Sequence, residues 1–267
     1  MSPTLGHSAA LRERPPDELA PVLPFDDFMT YVFDWRQNQH VGVVGPTEQG
    51  KTNLVYHLLA RRTYITYFAI KTRDQTLDSF AQQGGFMRIP DWPPMKPGLR
   101  TRPFTPEEMP RRLLWPDATQ LDSEPEQRRV FGKALPDIYA QGGWCPVFDD
   151  YWYLAHILGF EKETKKYLAN ARSNNIPMVI CAQRPAGNRL VELFDQSTHL
   201  FFARDNDEPN LNRIGGVGWL NAGPIRAFVA NLEPFQFLYV NTRRGWMYRT
   251  TAPELKLRQP RGGRRGR

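Results

Sequence analysis

The chain has 267 residues, of which 40% are hydrophobic and 24% are charged, and its formal net charge is +7. This length suits one α/β domain with a substantial core, and the composition excludes a collagen-like or wholly disordered chain. It holds no apolar stretch as long as a membrane span and no signal-peptide pattern, so we expect a cytoplasmic protein, in the host cytoplasm if it is viral.

Short apolar runs alternate with amphipathic segments along the chain. A Pro-rich flexible arm is predicted over residues 1–24, and a Pro- and Gly-rich surface insertion over residues 84–110. Helices are predicted at residues 25–35, 52–62, 124–141 and 151–172, and Pro136 should bend or break the third. Strands are predicted at residues 40–44, 64–71, 112–115, 144–148, 178–182 and 199–203, with a closing hairpin at 235–241 and 245–249. The alternation indicates an α/β fold with a mostly parallel sheet and helices on both faces.

The C-terminal segment 251–267 differs in composition from the rest of the chain. Its last twelve residues contain six basic and no acidic side chains, which leaves the body of the protein close to neutral. Such a Gly/Arg segment cannot bury a core and predicts a disordered basic tail. Its charge suits a non-specific hold on nucleic acid, while a solubilising tail or an anchor to another acidic surface is the alternative.

The clearest motif lies between the strand at residues 40–44 and the helix after it. It matches GxxxxGK[ST] in full with Gly45, Pro46, Thr47, Glu48, Gln49, Gly50, Lys51 and Thr52. The two glycines permit a tight path on which successive N–H groups face a phosphate, and the helix N-terminus adds its positive dipole end. We expect Lys51 to contact the β- and γ-phosphates and the Thr52 hydroxyl to bind Mg²⁺. The motif predicts a P-loop nucleotide-binding domain over residues 25–250.

Polar side chains also follow two later strands. Asp149 and Asp150 end the strand at residues 144–148, which is the Walker B arrangement: the first acid holds Mg²⁺ and the second orients and deprotonates the attacking water. The same pair also suits a helix N-cap followed by an acid in the first turn. Gln183 follows the strand at residues 178–182, where it either binds the γ-phosphate and the water or caps the strand end. The residues alone leave both alternatives open.

Residues 171–185 have the sequence ARSNNIPMVICAQRP. They resemble a segment of the FtsK/HerA superfamily that reads roughly GRxxGIxLIxATQRP. The phosphate loop and the paired acids precede this segment in the family's order, so the resemblance spans about residues 38–216. It implies a RecA-like, additional-strand P-loop ATPase fold, with ATP and Mg²⁺ as cofactors. It further implies a hexameric ring that translocates or packages double-stranded DNA, and Gln183 as the nucleotide sensor.

The resemblance also implies an arginine finger from a neighbouring subunit, for which the sequence offers two candidates. Arg172 matches the family's arginine before the sensor strand, and Arg204 ends the next strand. Asp150 stands where the family usually has Glu, so the attacking water must sit differently or hydrolysis is slower. For the adenine base, Phe33 and Trp35, upstream of the phosphate-loop strand, are the candidate stacking residues.

Two functions remain open at this point. The first is an ATP-driven DNA translocase or packaging motor of the kind found in phages and mobile elements. The alternative is a nucleotide-dependent assembly or secretion protein of a virus or mobile element that does not move DNA. A small-molecule kinase is disfavoured by the Gln-Arg-Pro sequence at residues 183–185.

Overall fold

The computed structural model describes residues 19–71, 74–98, 101–116, 123–183, 191–215 and 222–255. Within these ranges one nine-stranded sheet has the order β3-β4-β2-β5-β6-β1-β7-β8-β9. Its strands are β1 (His40–Val44), β2 (Ile65–Phe68), β3 (Met87–Ile89), β4 (Arg111–Leu114), β5 (Cys145–Phe148), β6 (Val179–Ala182), β7 (Ser197–Ala203), β8 (Gln236–Asn241) and β9 (Trp246–Thr251). Strands β1 to β7 are all parallel, and β8 and β9 form an antiparallel hairpin beside β7. The mostly parallel sheet predicted from sequence is confirmed.

Helices cover both faces of this sheet. They are α1 (Lys51–Leu58), α2 (Gln75–Gly84), α3 (Glu124–Gln141), α4 (Glu161–Asn170), α5 (Val191–Gln196), α6 (Glu208–Ile214) and α7 (Ala222–Ala230). The side chains of α1 and α2 pack with Val41 and Val43 of β1 in one hydrophobic cluster, and those of α3 and α4 pack with Val44 in a second. Successive strand residues point to opposite faces, so a strand covered on both sides is apolar throughout. Among the described helices, none combines the length and apolarity that a bilayer span requires.

Three predicted helical segments differ in detail from the observed ones. Pro136 does not break its helix, because α3 runs unbroken from Glu124 to Gln141 and buries an apolar stripe around Leu135 and Ile138. The predicted helix at residues 151–172 is divided into a π-helical turn Tyr153–Ile157, α4 and a 3₁₀ turn Ala171–Asn174. Gly159 has φ +79°, which ends the first of these segments. The predicted helix at residues 25–35 is shorter, formed by Phe25–Asp27 and Phe28–Val32.

Two segments predicted to lie outside the core belong partly to it. Residues 84–110 contain β3 and the buried Trp92, whose indole N–H donates to Asp137 at 2.8 Å, so the segment is not simply a surface insertion. Residues 19–24, assigned above to the arm, pair with β9: Leu23 N–H donates to Arg249 O at 2.9 Å, and Ala20 is fully buried. The rest of the predicted arm (residues 1–18) and most of the predicted tail (residues 256–267) lie outside the described residues.

Candidate functional site

The sheet order brings the three sequence motifs together at one edge. Strand β6 lies between β1 and β5, and all three are parallel, so their carboxyl ends meet. The phosphate loop leaves β1, Asp149 and Asp150 leave β5, and Gln183 leaves the strand between them. A cavity of about 590 Å³ lies at this edge and is lined by Thr47, Glu48, Gly50, Lys51, Thr52, Asn53, Lys71, Asp74, Thr76, Asp149, Asp150, Gln183, Phe235, Glu254 and Leu255.

Both glycines of the phosphate loop are required by close contacts. Gly45 has φ +154°, and a Cβ on it would lie 2.6 Å from the Cβ of Ala203. Gly50 has φ +79°, and a Cβ there would lie 2.4 Å from Cδ1 of Phe235. Larger residues at either position would force the loop away from its neighbours and out of the left-handed backbone region. The loop conformation expected from the motif is therefore fixed by packing on both of its sides.

Lys51 places a cation inside the loop at the start of α1. Its Nζ donates to the carbonyl oxygens of Gly45 at 2.8 Å and Pro46 at 2.5 Å. Burial lowers the pKa of Lys51, whereas the carboxylates of Asp149 and Asp150 oppose that shift. The N-cap of α1 is Gly50, which has no side chain to satisfy the first N–H groups of the helix. An ammonium group and free helix N–H groups together form a site for an anion.

Asp149 sits in a desolvated position at the end of β5. Burial raises the pKa of Asp149, although the ammonium groups of Lys71 and Lys51 favour its charged form. The fully buried hydroxyl of Tyr67 lies next to this carboxylate but makes no hydrogen bond of good geometry. Burial, reinforced by the charge of Asp149, raises the pKa of Tyr67 well above its ordinary value. The carboxylate and the hydroxyl both retain capacity for a further polar partner.

The donor set at this edge fits Mg²⁺ held mainly by a nucleotide. The described residues contain no group of three or more His, Cys, Asp or Glu side chains placed to hold a metal ion. Mg²⁺ at phosphate sites keeps several waters and takes one or two carboxylates together with phosphate oxygens, rather than an all-protein cage. Asp149 and the hydroxyl of Thr52, which line the same cavity, suit that mode of binding.

Asp150 and Gln183 are joined directly. The Gln183 Nε2 donates to Asp150 Oδ2 at 2.7 Å. The other carboxylate oxygen, Oδ1, accepts a bond of 3.1 Å from the backbone N–H of Tyr153. Asp150 therefore accepts a bond from the turn that follows β5 and also faces the cavity beside the amide of Gln183. Arg184 and Pro185, the rest of the Gln-Arg-Pro sequence, lie outside the described residues.

The two candidate finger arginines lie at opposite edges of the sheet. Arg204 is exposed after β7 at the carboxyl edge, where it lines a smaller cavity with Pro46 and Gln49 of the phosphate loop. Arg172 precedes β6 and thus lies at the amino edge. Its guanidinium group donates a hydrogen bond to Gln196 O, and its buried Nε has no hydrogen-bond partner. Burial, together with the charge of Arg243, lowers the pKa of Arg172. Neither Arg172 nor Arg204 lines the main cavity.

The aromatic residues expected to stack on a base are in the wrong place. Phe33 and Trp35 are 3% and 7% exposed and pack in the core on the α1 face, ahead of the amino end of β1. The aromatic side chain that lines the cavity is Phe235, which precedes β8. Sequence reasoning missed it because 185 positions separate it from Gly50, the residue that its ring contacts.

Solved structures of other proteins share this fold. The genome-packaging NTPase B204 from Sulfolobus turreted icosahedral virus 2, in complex with AMPPCP, matches with a TM-score of 0.51 at 13% identity, over 80% of this chain and 98% of that chain. The same NTPase in complex with AMP matches with a TM-score of 0.53 at 12% identity, over 82% and 100% of the two chains. Thermomonospora curvata EccC (ATPases 2 and 3), in complex with a signal sequence peptide, matches with a TM-score of 0.50 at 14% identity, over 83% of this chain and 38% of that one.

Comparison by sequence gives a different result. No protein-family model and no curated protein matches the chain. At such low identities the structural matches establish the fold, which is that of a P-loop NTPase with an additional strand, β6, between the phosphate-loop strand and the strand of the paired acids. This is the fold that the resemblance of residues 171–185 to the FtsK/HerA superfamily led us to expect.

Proposed function

We propose that this chain is an FtsK/HerA-type ATPase that binds ATP with Mg²⁺ at the carboxyl edge of its sheet. We propose further that it works as a ring, hexameric by the family resemblance, that translocates or packages double-stranded DNA. The observation that supports the ATPase is the meeting of the phosphate loop, Asp149 and the Asp150–Gln183 pair in one cavity. Each group is of the type, and at the sheet position, that phosphoryl transfer requires.

The phosphate loop supplies binding and charge neutralisation in this proposal. Backbone N–H groups of the loop and of the first turn of α1 surround the phosphates, and Lys51 exchanges its two carbonyl partners for phosphate oxygens. Thr52 and Asp149 would hold Mg²⁺, which supplies further neutralisation of the phosphate charge when bound. The backbone N–H groups are held in place by the loop before the nucleotide arrives, so they stabilise developing charge without reorganisation.

The Asp150–Gln183 pair handles the attacking water. The water oxygen forms a bond to the γ-phosphorus as the bond from that phosphorus to the β–γ bridging oxygen breaks, and Asp150 accepts the water proton. Asp150 Oδ2 accepts a bond from Gln183 and keeps a second lone pair for the water proton. When ATP is bound, the amide turns toward the γ-phosphate, and the loss of its hydrogen bond makes the carboxylate a stronger base. The pair would therefore couple recognition of the γ-phosphate to activation of the water.

The DNA part of the proposal has separate support. B204, which shares the fold, is a genome-packaging NTPase. The basic segment at residues 256–267 has the charge to hold a phosphate backbone non-specifically. Ring assembly would bring an arginine from one subunit to the nucleotide of the next, as the family resemblance implies.

The decisive experiment measures ATP hydrolysis against protein concentration, with and without duplex DNA. We expect a rate per subunit that rises with protein concentration, is stimulated by DNA and loses that stimulation as salt is raised, because counterion release drives the contact. Lys51→Ala should abolish hydrolysis, and activity that survives this change would come from a contaminant. Hydrolysis indifferent to both DNA and protein concentration would contradict the motor.

A second candidate is nucleotide-dependent secretion or assembly without DNA movement. The structure of EccC (ATPases 2 and 3) in complex with a signal sequence peptide has the same fold and supports this alternative. Deleting residues 258–267 distinguishes the two functions. A DNA motor should lose DNA affinity and DNA-stimulated hydrolysis, whereas an assembly protein should keep its basal activity and show no DNA stimulation before or after the deletion.

A further inference from the structure

No nucleotide-binding motif assigns the end of the cavity that is lined by Phe235, Glu254 and Leu255. We infer that this end binds the base of the nucleotide, with the Phe235 ring as a stacking platform. The inference rests on the proposed ATP binding and adds the subsite that the phosphate loop, the acids and Gln183 leave undefined. The ligand that it would take is a purine base attached to the triphosphate.

The sheet order separates the two ends of the cavity. On one side of β1 lie β6 and β5, which deliver Gln183, Asp149 and Asp150. On the other side lie β7, β8 and β9, and the cavity residues Phe235 and Leu255 flank the β8–β9 hairpin. The phosphate loop lies between the two groups. A triphosphate whose γ-phosphate faces the acids can therefore extend its sugar and base toward the hairpin, away from the acids.

Phe235 has no evident role in the core. Neither of the two hydrophobic clusters of the described residues includes it, and it is not among the partly buried side chains that pack against them. Its ring is half-buried and lies instead against Gly50, at the mouth of the phosphate loop. An aromatic ring that is outside the core and lines a cavity is available for a planar ligand.

The backbone of Phe235 is held in an unfavourable conformation. Its φ is +62°, a value that bulky residues rarely adopt. Two bonds fix the conformation: Ala252 N–H donates to Phe235 O at 3.1 Å, and Gln236 N–H donates to Glu233 O at 3.0 Å across the turn. Strain of this kind persists where the surroundings impose it, and it is concentrated at ligand sites. Here it turns the ring toward the loop.

The same contact with Gly50 could serve a different purpose, which is to brace the phosphate loop. Inorganic tripolyphosphate separates the two roles, because it has the phosphates of ATP and no base. We would measure the Mg²⁺-dependent binding of ATP and of tripolyphosphate to the wild type, Phe235→Ala and Phe235→Tyr. Phe104→Ala, which changes a half-buried ring in the segment before β4, is the matched control.

We expect Phe235→Ala to weaken ATP binding about ten- to hundredfold, the effect of losing one base–aromatic stack, and to leave tripolyphosphate binding within about twofold. Phe235→Tyr and Phe104→Ala should bind both ligands as the wild type does. Equal weakening of both ligands by Phe235→Ala would show that the ring braces the loop, and unchanged ATP binding would show no contact. Either result overturns the inference. A wild type that binds neither ligand contradicts the proposed function instead.

A second measurement does not depend on the alanine variant remaining folded. Phe235→Trp retains a ring and adds an indole whose fluorescence a stacked base quenches. We expect ATP to quench the emission of this variant beyond its effect on the wild type, and tripolyphosphate to cause no such difference. Equal responses to the two ligands would overturn the base subsite.

Discussion

Both edges of the central sheet contain polar side chains, but the surroundings of these side chains differ. At the carboxyl edge, Lys51, Asp149, Asp150 and Gln183 face a cavity beside the free N-terminus of α1. At the amino edge, the polar groups are enclosed: His199 contacts Tyr239 OH at 2.8 Å and Gln39 Oε1 at 2.9 Å. Polar composition alone therefore does not distinguish the two edges, whereas the cavity and the helix N-terminus at the carboxyl edge do.

The amino edge also encloses two histidines. His40 and His199 are both fully buried, and neither ring nitrogen of His40 has a partner with hydrogen-bond geometry. Burial, together with the charge of Arg172, lowers the pKa of His40 to about 3. Burial also lowers the pKa of His199 to about 3. We expect changes at this edge to affect folding and changes at the carboxyl edge to affect turnover.

The largest effect on turnover is expected when the two candidate finger arginines are compared. If exposed Arg204 is the finger, Arg204→Ala should lower the ATP turnover of the assembled protein at least about 10³-fold and leave the melting temperature unchanged. Arg172→Ala should lower the melting temperature instead, because it removes the contact between the 3₁₀ turn after α4 and Gln196 O at the end of α5. Turnover and thermal melting of both variants check this comparison, and the opposite pattern would assign the finger to Arg172.

Mixing two inactive variants tests whether Arg204 acts on a neighbouring subunit. Lys51→Ala and Arg204→Ala subunits, combined in one ring, would recreate some interfaces that have both an intact loop and an intact arginine. Hydrolysis should then recover in the mixture in proportion to those interfaces. Recovery that fails although the subunits assemble would place the action of Arg204 within its own subunit.

Asp149→Asn should have the next largest effect. The Asp149 carboxylate would hold the Mg²⁺ that neutralises the phosphate charge, so its loss should lower turnover about 10²- to 10³-fold. The Mg²⁺ concentration required for half-maximal hydrolysis should also rise, because Asp149 is the carboxylate that fits this ion. The control is Asp34→Asn, an exposed acid paired with Arg36 at the amino edge, which should behave as the wild type in both titrations.

Gln183→Ala should have a smaller effect. It removes a hydrogen bond to a charged group, and such bonds are worth about 1.5–3 kcal/mol, which corresponds to about ten- to hundredfold in rate. Affinity for ATP should change little, because the phosphate loop provides the binding. Single-turnover rates and nucleotide affinities separate the two quantities. A large loss of affinity with unchanged single-turnover rates would mean that Gln183 binds phosphate without acting on the water.

The smallest effect on turnover is expected from the buried histidines, which should instead affect stability in acid. The pKa of each histidine is about 3 in the folded chain, against an ordinary value of 6.5, so folding favours the neutral rings. The contribution of the neutral rings to the free energy of unfolding is therefore fully present above pH 6.5. As pH falls from 6.5 toward 3, each should lower the free energy of unfolding by about 1.4 kcal/mol per pH unit. Urea unfolding of the wild type, His40→Leu and the surface control His156→Ala checks this. An acid dependence in His40→Leu as steep as in the wild type would refute it.

The parts of the fold that were predictable from sequence are local. The phosphate loop and α1 follow from eight consecutive residues, and the ends of β5 and β6 follow from apolar runs that stop at polar side chains. The helix α6 was missed although it has a local signal: Asp207 caps it by accepting the N–H of Asn210, and Pro209 lies in its first turn. No helix is predicted there, because the polar side chains of this segment give no clear apolar period.

The parts that were not predictable depend on contacts distant in sequence. Trp92 is buried because its indole reaches Asp137 on α3, and Phe235 reaches the phosphate loop because the sheet order brings β8 near β1. Pro136 stays within α3 because the apolar stripe of that helix is buried against the sheet. Periodicity and motif spacing contain no information about such pairings.

The pairing of residues 20–23 with β9 has a consequence for how copies of the chain can associate. Arg249 N–H donates to Pro21 O and Leu23 N–H to Arg249 O, both at 2.9 Å, and the hydroxyl of Thr250 donates to Leu23 O at 3.0 Å. These bonds occupy main-chain groups that a strand from another copy would otherwise need to extend the sheet. Strand addition at Arg249 of β9 is thereby prevented, so a second copy that meets this residue must do so through side chains.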